Sequence, residues 1–105
     1  MHWFLLILGG FFEMGWAIGL KLSQTMQVKF WGILMAVCSM ALSVTLLYFA
    51  QKEIPIGTAY IVWAGIGAVS TLTIGILFFG ESAAFWRLFF AAMILVGVIG
   101  IKMQS

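Results

Sequence analysis

A chain of 105 residues that is 65% apolar and only 8% charged cannot be a water-soluble globule, where charged residues make up about a quarter of the total. Its mean hydropathy of +1.21 reads as a membrane protein. At about twenty residues per spanning helix there is space for about four spans and no extramembrane domain to hold a catalytic apparatus, so an enzyme is not expected. The net charge of +2 is small and dispersed, with no basic cluster, so nucleic acid is not expected as a partner.

The punctuation of the sequence sets the spans. A first helix is expected over residues 3–20, closed by Lys21 and the polar stretch Ser23, Gln24 and Thr25. It lacks a basic leader and a small-residue cleavage pattern, and is read as retained rather than as a signal peptide. A second helix over residues 30–50 is entered after Gln27 and Lys29 and closed by Gln51, Lys52 and Glu53. Within it Cys38 has no second cysteine to pair with and is expected as a buried, inert thiol. Pro55 forbids helix at Ile54 and favours the first turn of a new helix, which puts the third span over residues 56–79. The glycines at 65, 67 and 75 weaken its rigidity and make it the helix expected to bend. After a turn at Gly80, Glu81 and Ser82, a fourth helix is expected over residues 83–101, with Gly97 and Gly100 as a close-packing surface. Trp3, Trp31 and Trp86 near span ends are expected as interfacial anchors. The fold class is therefore all-α and integral to the membrane. With no internal repeat or linker, residues 1–105 read as a single four-helix transmembrane domain.

Glu13 breaks this pattern. It is a carboxylate deep inside an otherwise apolar run, near the midplane of a hydrocarbon core roughly 30 Å thick. An ionisable group there costs on the order of a few kcal/mol and marks an ion, proton or cationic-substrate site. A structural acid neutralised by a buried base is the bland alternative. It is disfavoured because Lys21, Lys29, Lys52, Arg87 and Lys102 all fall at or near segment ends. Gly9 and Gly10 precede Glu13 by four and three residues, and Trp16 follows by three, so small residues and an indole share one helical face with the acid. Tyr60 and Trp63 are likewise three apart, with Gly67 a turn further on. Their spacing fits either packing or the aromatic walls of a cation site. Ser43 shares a face with Met40 and Leu47. A lone hydroxyl in a helix ordinarily bonds back to its own backbone, with reaching across the bundle as the alternative. Ser70, Thr71 and Thr73 take the ordinary reading because their faces diverge.

Short connections make neighbouring helices antiparallel and bring both termini to one side. That side carries Lys52 and Lys102, and the other carries Lys21, Lys29 and Arg87. Excess lysine and arginine normally fixes the cytoplasmic side, and this near balance permits insertion both ways. One acid on four helices is too little to build a pathway wall. An oligomer is expected, and an inverted pair would reproduce the symmetry that larger transporters carry within one chain.

The segment Phe12-Glu13-Met14-Gly15-Trp16-Ala17-Ile18-Gly19-Leu20-Lys21, the run from Pro55 through Tyr60 and Trp63 to Gly67, and the ending Gly97-Val98-Ile99-Gly100-Ile101-Lys102 together resemble the small multidrug resistance family over essentially the whole chain. Trp16, the Glu81-Ser82 pair and Lys102 after Gly100-Ile101 resemble its guanidinium exporter subtype rather than its broad drug exporters. The resemblance implies a bacterial inner-membrane, multi-pass antiporter that works as an antiparallel, dual-topology homodimer with both acids in one cavity. It implies that Glu13 is the shared proton and substrate carboxylate, that Gly10, Trp16 and Ser43 supply its hydrogen-bonding neighbourhood, and that Tyr60 and Trp63 are aromatic walls. One departure bears on selectivity: Ala64 stands where the subtype commonly has Thr, which leaves larger guanidinium-like and quaternary ammonium cations open. Another, the missing Gly-Phe pair between Gln24 and Lys29, bears on the loop alone.

The mechanism expected from this constellation is competition at one group. A planar guanidinium fork matches the carboxylate and displaces protons, and protons displace it in turn. If only loaded cavities switch sides, an inward proton gradient drives the cation out. No cofactor or metal is required, and the partners are a small organic cation, protons, lipid and a second copy of the chain. Two alternatives share Glu13: an exporter of quaternary ammonium and lipophilic cations, and a non-transporting assembly subunit whose acid pairs with a base on another protein.

Overall fold

The computed structural model describes residues 2–25 and 29–104. Four helices succeed one another: α1 (His2–Thr25), α2 (Lys29–Ala50), α3 (Ile56–Phe78) and α4 (Phe85–Gln104). Each is long and apolar enough to cross a membrane. The helix of α1 continues past residue 20, because a helix need not stop where its lipid-soluble stretch stops. Residues 26–28, with Gln27 of the loop expected between the first two spans, lie outside the described residues.

Local chemistry explains the breaks. Pro55 occupies the N-cap of α3, and its carbonyl accepts the Ala59 N–H at 2.9 Å, so the residue that could not continue α2 starts α3. At the other end the Gly75 carbonyl accepts from both Phe79 and Glu81, at 3.0 and 3.1 Å. Gly80 then turns the chain at φ 71°, a conformation open to glycine at little cost. α4 begins only at Phe85, since Ser82 spends its hydroxyl on the Ala84 N–H and its carbonyl on Arg87.

α1 is the central helix. It runs antiparallel to α2: Gly19 meets Gly32, Gly15 meets Ser39, and Gly9 meets Leu46 and Ser43. At the Gly19–Gly32 crossing a Cβ on either residue would strike the partner backbone, at 2.6 Å from Gly19 O or Gly32 O, so only glycines let the helices touch there. α1 runs parallel to α3, with Gly9 by Trp63, Gly10 by Ile66 and Glu13 by Gly67. α4 returns along α3, with Val98 and Ile94 against Gly65. The His2–Glu53 contact at 3.9 Å and Lys102 Nζ over the Trp3 ring at 5.2 Å gather both chain ends and the second connection on one side.

The core is small. Leu6, Ala50, Ile54, Ala59, Val62, Trp63 and Val98 pack into one buried cluster, while α4 otherwise turns nearly all its side chains outward. Outward apolar residues are what lipid requires, and the four helices make a slab of 43 × 33 × 17 Å. One expectation needs correction, and another is not met within a single chain. Cys38 is exposed on α2 rather than buried, and among the described residues nothing closes on Gly97 or Gly100 within 4 Å of a built Cβ. Hydropathy does not distinguish a face that meets protein from one that meets lipid.

Candidate functional site

Glu13 lies near the middle of α1, roughly 17 Å from each helix end at 1.5 Å per residue. The Trp16 side chain, one turn on, acts on its carboxylate as a donor through the indole N–H. Oε2 is buried and has no hydrogen-bond partner among the described residues. The carboxylate rests against α3 at Gly67, whose missing side chain leaves it space. A buried acceptor with nothing to accept from is costly, about 1–3 kcal/mol, and is the feature of this bundle that most calls for a ligand.

Beside the acid runs a second polar chain. The Trp63 indole N–H donates to Ser43 Oγ at 2.8 Å, and the Ser43 hydroxyl donates to the Gly9 carbonyl at 2.7 Å. Ser43 is fully buried and Trp63 is 9% exposed. These bonds tie α3 to α2 and α2 to α1 one turn before Glu13. Thr45 and Thr73 show the ordinary behaviour of a helical hydroxyl, donating back to Ala41 and Val69 at 2.7 and 2.9 Å. Ser43 departs from it because the α1 backbone, bare at Gly9, comes within reach. The sequence placed Gly9 on the face of Glu13 as a small residue, and the structure adds that its carbonyl is a polar member of the site region.

Gly10 is a contact residue. A Cβ there would press on Ile66 Cβ at 2.8 Å and on the Trp63 carbonyl at 3.3 Å, so its absence brings α1 and α3 together beside the acid. The Tyr60 and Trp63 rings lie 5.6 Å apart, tilted by 43°. Trp63 faces inward with its N–H engaged, whereas Tyr60 is 58% exposed on the outer surface of the bundle. The structure therefore joins Glu13 to Trp16, and Trp63 to Ser43, and leaves Tyr60 turned away from them.

A cavity of about 510 Å³ opens between α1, α3 and α4, lined by Ile7, Phe11, Val62, Ile66 and Ile99, with Lys102 and Trp3 at one end. Glu13 does not line it. An apolar groove whose one charge is a lysine suits no cation, so the acid, not the larger cavity, is the candidate site. Among the described residues no cluster of His, Cys, Asp and Glu could hold a metal ion.

A mid-helix carboxylate in a bundle of four spanning helices defines a multi-pass membrane protein with an ionisable group set at membrane depth. The model of the Small Multidrug Resistance protein family matches residues 1–94, and the chain belongs to that family. It is similar to the guanidinium exporter of Yersinia pseudotuberculosis serotype I (strain IP32953), at 45% identity over the full length of both chains. It is also similar to the guanidinium exporters of Proteus vulgaris, at 42% identity with full coverage of both, and of Escherichia coli (strain K12), at 41% identity over 100% of this chain and 99% of that one.

Proposed function

We propose that this protein exports guanidinium and related small guanidinyl cations in exchange for protons, with Glu13 as the group both compete for. The observation that carries the reading is the Glu13 carboxylate itself: held by the Trp16 indole, with Oε2 buried and unpartnered at mid-helix. A guanidinium offers paired N–H donors in a plane, which is the complement a carboxylate lacking donors asks for. A proton satisfies the same oxygen. Occupancy by one excludes the other, and exchange of the two across the membrane is antiport. The family membership and the names of the relatives support the same substrate.

The working unit is an antiparallel homodimer. Lysines and arginines balanced across the two faces favour insertion both ways. The cavity of the single bundle does not reach Glu13, and Gly97 and Gly100 on α4 are uncovered and ready for a second copy. In that dimer Tyr60, outward in one chain, faces its partner and with Trp63 walls a shared chamber around the two acids. Gly10 and Ser43 hold α1 at the distance that chamber requires.

Trp16 gives the selectivity test. Its N–H orients the carboxylate for a planar, two-pronged partner, so Trp16→Phe, which keeps a ring and removes the donor, is expected to weaken guanidinium transport more than transport of a quaternary ammonium. A charge-assisted hydrogen bond is worth about 1.5–3 kcal/mol, partly recovered by water, which gives a shift of roughly tenfold in the ratio of initial rates. Electrical currents from purified protein on a solid-supported membrane measure both cations. Equal losses for the two would make Trp16 a packing residue and remove the physical basis for guanidinium preference.

A further inference from the structure

Gly67 stands in direct contact with Glu13 from the neighbouring helix, and the contact is specific to the end of the acid. A Cβ built on Gly67 would fall on Glu13 Oε2, 2.8 Å from its Cδ and 3.0 Å from its Cβ. Real side chains essentially never approach below 3.0 Å, so anything larger than glycine at 67 must push the carboxylate away. The atom it would strike is the same Oε2 that is buried without a partner. The approach of α1 to α3 leaves no slack to absorb the collision, because Gly10 already brings the two backbones together through Ile66 and the Trp63 carbonyl. The carboxylate is therefore located by the Trp16 donor and by a gap in α3.

We infer that Gly67 is a positioning residue for Glu13: the side chain it lacks is the space in which the carboxylate is seated for cation recognition. This rests on Glu13 being the shared proton and cation group. The competing explanation is that glycines at 65 and 67 simply loosen α3. Gly65 separates the two, since it has the same backbone freedom but a different neighbour. A Cβ there would meet Val98 at 2.6 Å and Ile94 at 3.4 Å, both on α4 and not the acid. Loss of flexibility would make the two positions behave alike, and seating of the carboxylate makes them differ.

The experiment is a double-mutant cycle on full-length protein in proteoliposomes, with guanidinium as the probe cation and currents read at several concentrations. Gly67→Ala is expected to raise the apparent KM for guanidinium roughly tenfold, as the carboxylate leaves the Trp16 donor. Glu13→Asp shortens the acid by one methylene and withdraws Oε2 and Cδ, the two atoms that a Cβ at 67 would meet below 3.0 Å, while the residue-13 Cβ stays at the 3.0 Å limit. The combined Gly67→Ala, Glu13→Asp protein should then have a KM within about threefold of Glu13→Asp alone, a difference under 1 kcal/mol. Gly65→Ala should gain nothing from Glu13→Asp. A KM for the combined variant that exceeds that of Glu13→Asp by the same factor as Gly67→Ala exceeds wild type, or equal relief of Gly65→Ala, overturns the inference.

The same cycle read as melting temperature without substrate tests the steric part alone. Gly67→Ala should lower the midpoint with Glu13 in place and lower it less in the Glu13→Asp background, and equal lowering contradicts the proposal. Should Gly67→Ala alone fail to fold, the combined variant decides: it is expected to be monodisperse wherever Glu13→Asp is, and its failure to fold overturns the proposal. Should Glu13→Gln transport normally while the melting cycle still shows coupling, the functional reading fails and the seating of the carboxylate stands.

Discussion

Glu13→Gln is expected to reduce proton-driven guanidinium uptake to the level of protein-free liposomes while leaving the helices folded and the oligomer unchanged. The amide keeps the shape that fits over Gly67 and can still meet the Trp16 N–H. It cannot take up a proton at membrane depth, and it replaces a charge-assisted bond to the cation by a neutral one of about half the strength. Both limbs of the exchange fail together. Initial uptake of labelled guanidinium under an imposed pH gradient measures the effect, with size-exclusion chromatography as the control for assembly. Persistent gradient-driven uptake in this variant would take the proton-coupling role away from Glu13.

The second large effect concerns orientation. Adding one or two lysines beside Lys52 should force the population into one topology and remove most of the activity, because an antiparallel pair needs both orientations. Co-expression with a variant biased the other way, by lysines beside Lys29, should restore it. Neither variant alters the site, since Lys52 is exposed at the connection after α2 and Lys29 is the first residue of α2. Resistance of cells to guanidinium reports the outcome, with cysteine labelling from each side reporting topology. Full activity from a uniformly oriented population would mean a parallel assembly.

The parts of this fold that were legible in the sequence are those in which the bilayer acts directly on composition. Four apolar runs bounded by charged residues, and Pro55 at the head of α3, are readable because an unpaired backbone or a charge is expensive in lipid. The depth of Glu13 and the neighbourhood of Trp16 follow from helical spacing alone. Which faces pack was not legible. Cys38 and Tyr60 look outward, and Gly97 and Gly100 meet no described helix, because lipid and protein interior ask for the same apolar side chains. Ser43 shows a further limit: whether a hydroxyl bonds to its own helix or across depends on how close a neighbouring backbone comes, and that closeness arises from Gly9 on another helix. Gly67 shows it again, since its relation to the acid exists only once α1 and α3 are set parallel.

The most direct test of exchange at a single carboxylate uses wild-type protein as the only protein in liposomes that enclose guanidinium and a pH-sensitive dye. With no initial pH gradient, an outward guanidinium gradient alone should drive protons inward and acidify the interior, at a rate that saturates with guanidinium. Guanidinium leaving with no proton movement, or with protons leaving alongside it, would contradict antiport.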